Sequence, residues 1–328
     1  MTATPLPTPN APEPAPPAAA EAPACVVSVV VPCKGVGTLG PCLDSLAPSH
    51  QDLGLPYEVI VVDGWHDDAV AELCGSFDWV RCVRSRGNLV PGPARNLGVE
   101  HARTGLIVFL DADCVAEPDY LRTAYEALNS GARITGGPIL DALSNPVSMA
   151  DNYVQFADFP PGRPDSEQPW LPTCNFAVHK EDFQAVGGFV NTGMPLGEDP
   201  ILCFEVGRRT PGGVRFTANQ RVRHRGRADL TTMMRHHWTF GYGRALLGIE
   251  VKPWQRRVGR WLLAVPAIAA WRYLYLLKRT IRWAPARVPR ALLLTPFTMP
   301  ALLAWGWGFR AGCFEPIKDV GSEALTAG

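Results

Sequence analysis

Residues 106–114 read Leu-Ile-Val-Phe-Leu-Asp-Ala-Asp-Cys, an apolar run that stops at two carboxylates one residue apart. Asp111 and Asp113 point the same way from an extended chain, which suits a hard divalent cation that also bridges phosphate oxygens. A second pair, Glu198 and Asp199, follows Gly197 and precedes apolar residues at 201, 202, 204 and 206. That pattern starts a helix, where the dipole and free amides favour a carboxylate anion able to act as a base. Each pair also has a plainer reading, as a strand-to-turn exit or a helix cap. The stretch 35–40, Gly-Val-Gly-Thr-Leu-Gly, offers a rival site, because with Asp63 it meets the dinucleotide-binding pattern of an NAD(P)-dependent oxidoreductase. Pro32, Cys33 and Lys34 intervene where that pattern wants a tight turn, and it leaves Asp-Ala-Asp without a role.

Strand and helix signals alternate before these residues. Residues 26–32, 58–63, 80–83 and 106–110 read as strands, and 39–50 and 95–103 as helices. Such alternation implies right-handed crossovers and a mostly parallel α/β sheet. Ligands of such sheets bind at the carboxyl ends of the strands, where Lys34, Asp63, Arg86 or Arg95, and Asp113 would meet.

Composition adds an unusual C-terminal part. The chain of 328 residues is formally neutral, with 31 basic and 31 acidic side chains, and no nucleic-acid partner is expected. Yet residues 251–312 hold eleven Lys or Arg and no acid. Two apolar runs lie there, 261–277 and 291–309, with tryptophans at 254, 261, 271, 283, 305 and 307. They suit either a membrane-spanning hairpin or helices lying on an anionic leaflet, and the basic flanks put the catalytic part on the cytoplasmic face of the membrane. Nine scattered cysteines without a Cys-x-x-Cys pair read as buried thiols rather than a zinc site. The expected layout is a disordered Pro/Ala-rich tail without a signal peptide (1–24), a catalytic domain (25–250), a membrane-associated helical segment (251–313) and a tail (314–328).

Taken in order, the motifs resemble the family 2 glycosyltransferases of the GT-A fold. Val-Ser-Val-Val-Val-Pro-Cys-Lys-Gly (27–35) is similar to the opening strand, and Glu-Val-Ile-Val-Val-Asp (58–63) to the second. Gly-Pro-Ala-Arg-Asn-Leu-Gly (92–98) resembles the segment leading to the metal strand, and Asp111-Ala112-Asp113 the family's Asp-x-Asp. Residues 175–189 and 197–199 resemble the acceptor block and the catalytic-base motif. Cys33-Lys34 and Gly64-Trp65-His66 depart from the usual residues.

The resemblance implies a nucleotide-sugar donor, UDP favoured, at Pro32, Lys34, Asp63, Arg95, Asp111 and Ala112. It implies Mn²⁺ or Mg²⁺ on Asp113, with His224 as a further contact. Asp199, with Glu198 beside it, would take the proton of an acceptor hydroxyl during a single displacement that inverts the anomeric carbon. Processive relatives carry Gln-x-x-Arg-Trp where this chain has Met-Arg-His-His-Trp at 234–238. Transfer of one sugar is therefore expected, to a lipid-linked acceptor or a cell-envelope glycan precursor, with Asn175, Trp238, Tyr242 and Arg244 on the acceptor side.

Overall fold

The computed structural model describes residues 25–319, so the expected N-terminal tail and the last residues of the C-terminal tail lie outside the described residues. Four parallel strands build one half of the main sheet, in the order β3 (Val80–Arg84), β2 (Tyr57–Asp63), β1 (Val27–Cys33), β4 (Leu106–Leu110). Helices α1 (Leu39–Ser45), α2 (Asp68–Gly75) and α3 (Pro91–His101) make the crossovers. Val29, Val30, Val31, Ile107 and Val108 are all fully buried, which explains why these strands read as unbroken apolar runs.

The sheet continues through β9 (Asn175–His179), which runs antiparallel to β4 and to β6 (Ile134–Gly136); β10 (Val214–Phe216) and β8 (Ser166–Glu167) complete eight strands. A second sheet joins β5 (Cys114–Ala116), β11 (Val222–His224) and β7 (Ile139–Asp141). It brings the residue after Asp113 beside His224, with Cys114 paired to His224. The remaining helices of this part are α4 (Tyr120–Asn129), α5 (Pro146–Phe156), α6 (Lys180–Ala185) and α7 (Glu198–Arg209).

Two helices differ from their expected bounds for local reasons. The helix expected over 39–50 stops at Ser45, because Pro48 disfavours helical backbone at the residue before it. The helix expected from Arg95 begins at Pro91, since proline in the first turn loses no hydrogen bond.

The C-terminal part is wholly helical: α8 (Leu230–Leu247), α9 (Pro253–Gly259), α10 (Ala264–Trp283), a 3₁₀ turn (Pro285–Arg287), α11 (Val288–Leu293) and α12 (Thr295–Gly312). α12 lies along α8 at backbone contact. A Cβ on Gly241 would sit 2.0 Å from the Trp305 carbonyl oxygen, and one on Gly308 would sit 1.9 Å from that of Trp238. Buried Met233, Ala269, Leu276, Ala301 and Leu302 tie α8, α10 and α12 to Ala150 and Val154 of α5. Among the described residues no single helix is long and apolar enough to cross a bilayer. Residues Pro285–Leu293 and Thr295–Gly312 meet that test only together, bent by 80° at their junction.

Candidate active site

The carboxylates gather at the carboxyl end of β4 and the N-terminus of α7. Gly197 precedes α7 at φ +94°, and a Cβ there would lie 2.6 Å from Leu247, so both backbone and packing demand glycine. This turn sets Glu198 and Asp199 in the first helical turn. Asp199 Oδ2 accepts a hydrogen bond from the Thr173 amide at 3.2 Å, with the Thr173 hydroxyl at 3.5 Å. Burial pushes its pKa above the usual carboxylate range, and Arg95 and the Thr173 amide pull it part of the way back. Glu198 is nearly sealed from solvent. Burial and the neighbouring Asp199 charge lift its pKa to about 7 despite the opposing pull of Arg95.

Arg95 joins this turn to the end of β4. Its side chain is 3% exposed, with Nη1 on Glu198 Oε1 at 2.9 Å and Nη2 on Asp111 Oδ1 at 2.6 Å. Burial works against its charge, but Asp111 and Glu198 hold it firmly protonated. Both terminal nitrogens of the guanidinium of Arg95, the residue expected on the donor, are engaged by these two carboxylates.

Asp113 belongs to a different knot. Its Oδ2 faces His224 Nε2 at 3.5 Å, and the donor atoms of Asp113, Cys114 and His224 lie within 4.8 Å of one another. His224 Nδ1 contacts Asn152 Oδ1 at 2.7 Å. The Asn152 amide nitrogen donates to Asp141 Oδ1 at 3.1 Å and to the His224 carbonyl at 3.0 Å, which leaves Oδ1 as the acceptor. Nδ1 therefore donates, which leaves Nε2, the nitrogen facing the Asp113 carboxylate, as the one that could bind a cation. Two electron-rich groups so placed fit a positive charge between them, and imidazole with carboxylate is a donor set for a divalent ion. Burial would raise the pKa of Asp113, but His224 and Arg227 outweigh it and hold the carboxyl at about 2. Cys114 is a poor ligand, since burial pushes its thiol pKa well up and keeps it protonated.

Other expected site residues take different places. Asp63 is fully buried; its Oδ1 accepts the amides of Trp65 and Asp67 at 3.1 and 3.3 Å, and Arg84 Nε lies 3.4 Å from Oδ2. Its carboxylate shapes the turn after β2. Lys34 stands over the Trp65 ring, 4.1 Å from the centroid, while Pro32 and Ala112 are half-buried at the ends of their strands. Asn175, expected on the acceptor side, is fully buried, and its amide is consumed by the Pro138 and Gln220 carbonyls and the Gln220 side chain. It braces the sheet. Trp238 and Tyr242 stack at 5.2 Å with rings 8° apart, Trp238 remaining exposed, and Arg244 is paired with Glu250. His237, where processive relatives have arginine, is buried with Nε2 2.9 Å from Asp151 Oδ1. In the glycine stretch 35–40 a Cβ on Gly40 meets nothing within 4 Å, so the close helix–strand packing made by the third glycine of a dinucleotide site is missing there.

Thr173, Asn152 and Asp141 were not foreseen. Asn152 sits mid-helix in α5 with no motif around it, and only the fold carries it to His224.

Residues 28–184 match the model of a family described as "Glycosyl transferase family 2". This segment is a family 2 glycosyltransferase domain. It contains Pro32, Lys34, Asp63, Arg95, Asp111, Ala112, Asp113 and Asn175, whereas Glu198, Asp199, His224 and the aromatic pair of α8 lie beyond it. The chain is 25% identical over 171 residues to glycosyltransferase AglE of Haloferax volcanii, a match covering 50% of this chain and 56% of that protein. The chain thus spans little more than half the length of that relative. The glycosyltransferase domain and its surroundings also superpose on the mannosyltransferase PcManGT of Pyrobaculum calidifontis, solved with GDP-Man and Mn²⁺. The TM-score is 0.52 at 19% identity, covering 87% of this chain and 86% of that one. GalNAc-T7, solved with UDP, GalNAc and Mn²⁺, gives a TM-score of 0.51 at 14% identity over 72% of this chain and 51% of its own. The fold is GT-A-like, a large mostly parallel sheet flanked by helices.

Proposed function

We propose that the protein is an inverting, metal-dependent glycosyltransferase that moves one sugar from a nucleotide-diphosphate sugar to a hydroxyl acceptor. The observation that carries this is the pair of clusters beside β4: Asp113 facing Nε2 of His224, and Asp199 held at the start of α7. Mn²⁺ or Mg²⁺ held by Asp113 and His224 would neutralise the charge that develops on the leaving diphosphate. The Mn²⁺ and nucleotide in the two related structures support that donor class. UDP is favoured by the frequency of UDP-sugar donors in the family.

The chain's own residues do the rest. Asp199, ionised, accepts the proton of the acceptor hydroxyl, with Thr173 fixing its Oδ2. Arg95 ties Asp111 to Glu198, and its charge keeps the pKa of Asp199 from rising further. Asp199 and Asp113 belong to separate clusters on separate elements, which supports a single displacement with inversion of the anomeric centre. The segment 234–238, which lacks the Gln-x-x-Arg-Trp of processive relatives and whose His237 is committed to Asp151, supports transfer of a single sugar.

The C-terminal helices make the membrane interface part of the same proposal. Trp261, Leu262, Leu263, Trp271, Leu274 and Leu293 are each at least 60% exposed on a segment with no acid. With no single described helix able to span, and α12 packed on α8, the arrangement favours helices lying on an anionic leaflet, the catalytic part on the cytoplasmic face and a lipid-linked acceptor within reach. The test is nucleotide release from a panel of UDP-, GDP- and dTDP-sugars with Mn²⁺ and acceptor-bearing vesicles. Turnover with one donor, lost in Asp199→Asn, is expected; normal turnover in that variant would overturn the base assignment.

A further inference from the structure

A continuous chain of polar contacts leads from the metal knot into the C-terminal helices. His224 Nδ1 donates to Asn152 Oδ1 at 2.7 Å, and Asn152 Nδ2 donates to Asp141 Oδ1 at 3.1 Å. The other oxygen of Asp141 is taken by the guanidinium of Arg290 on α11. Asp141 is also the register partner of His224 across β7 and β11, so sheet and side chains fix the same relation. Beside them lies a small cavity of about 60 Å³ lined by Asp141, Asn152, Phe156, Arg287, Arg290 and Leu294. We infer that Arg290 is a positioning residue for the metal site, so that the seating of α11 on β7 sets the ring and tautomer of His224.

The physical reason lies in the Asn152 amide. It can present either an oxygen or a nitrogen to His224 Nδ1, and only the oxygen keeps a proton on Nδ1 and so reserves Nε2 for a metal. Asp141 selects the oxygen by demanding the amide nitrogen for itself. Arg290 holds Asp141 in the rotamer that makes this demand, and Arg287, which lies in the field of Asp141, assists. Without the arginine, Asp141 is free to turn into the cavity, and the amide loses one of the two acceptors that fix it. The inference rests on the reading of Asp113 and His224 as metal ligands.

The experiment is Mn²⁺ binding in the presence of UDP, followed by the electron paramagnetic resonance of free Mn²⁺, together with ¹⁵N spectra of the metal-free protein labelled at histidine. The comparison covers the full-length protein and the variants His224→Ala, Asp141→Ala, Arg290→Ala and Arg290→Lys. Partners of metal-bound histidines contribute about 10–100-fold to affinity, so Asp141→Ala should weaken Mn²⁺ binding by about 10-fold and Arg290→Ala by about 3-fold or more. Both should move the His224 proton from Nδ1 toward Nε2, and Arg290→Lys should restore most of the affinity. Folded Asp141→Ala and Arg290→Ala proteins that bind Mn²⁺ and protonate His224 as the parent does, while His224→Ala loses Mn²⁺, would overturn the inference and leave the metal site standing. If His224→Ala binds Mn²⁺ like the parent, the ligand assignment itself fails and the inference with it.

Discussion

The two carboxylate clusters around β4 have been tuned in opposite directions by their neighbours. Asp113, about a third exposed and facing His224 and Arg227, is held at about 2. Glu198 and Asp199, packed together at the start of α7, are raised by burial, Glu198 to about 7. A site that needs one carboxylate always charged for a cation and another able to take and release a proton is built by such a split. Charge of the opposite sign controls both: His224 and Arg227 dominate around Asp113, whereas around Glu198 the buried Arg95 only moderates the effect of desolvation.

Breaking either side should have the largest effect, and in different ways. Asp199→Asn is expected to lower kcat by about 10²–10⁴-fold while donor affinity is kept, as removal of a general base does. Asp113→Asn should instead abolish the Mn²⁺ dependence of donor binding. Titration calorimetry on both variants separates them, and equal loss of donor affinity would erase the contrast.

Next comes the link between the clusters. Replacing one partner of a buried ion pair typically costs about 3–5 kcal/mol, so Arg95→Met should destabilise the fold by that order above neutral pH. The loss should shrink toward pH 5, where Glu198 takes up a proton. Adding Glu198→Gln should recover part of it in denaturant melts.

A smaller effect sharpens the comparison through pH. Asp199 works as the anion, so the rate should rise with pH and its acid limb should lie above the usual carboxylate range. Glu198 titrates beside it, and the limb belongs to the pair. Glu198→Gln should move the limb of kcat to lower pH. In stability the sign is reversed: the folded pKa of Glu198, about 7, exceeds its ordinary 4.5, so its contribution is present at low pH and lost as pH rises through that interval. Glu198→Gln should flatten this part of the stability profile. The smallest effect concerns the acceptor side, where Trp238→Ala should raise acceptor KM several-fold with kcat nearly unchanged, about 0.5–1.5 kcal/mol of stacking.

Much of the catalytic half was legible in the sequence because its signals are local. The strands β1 to β4 are buried on both faces and so read as apolar runs, and Asp111, Asp113 and Gly197-Glu198-Asp199 fall at element ends that the pattern marks. What stayed hidden depends on contacts between distant segments. Arg95 lies 103 residues from Glu198, and Asn152 lies 72 residues from His224. Nothing in the local spelling shows the two buried ion pairs of Arg95 or the buried hydrogen bonds of Asn175. α2 was missed although Asp67 caps it through the Ala69 amide at 3.0 Å. Its short apolar face, Val70 and Cys74, is too brief to show a period. The apolar run 291–309 was read correctly as helix-forming, but its length alone did not reveal that Gly308 presses it against Gly241 of α8.

The most direct test of a metal-dependent nucleotide-sugar site is thermal stabilisation of the purified protein by UDP, GDP, dTDP and NADH, each with and without Mn²⁺. A ligand raises stability only when it binds the folded form. Stabilisation by one diphosphate nucleotide that requires Mn²⁺, disappears in Asp113→Asn and persists in Asp199→Asn is the expected result. Stabilisation by NADH without metal, unaffected by Asp113→Asn, would contradict it and move the site to the turn at Gly35.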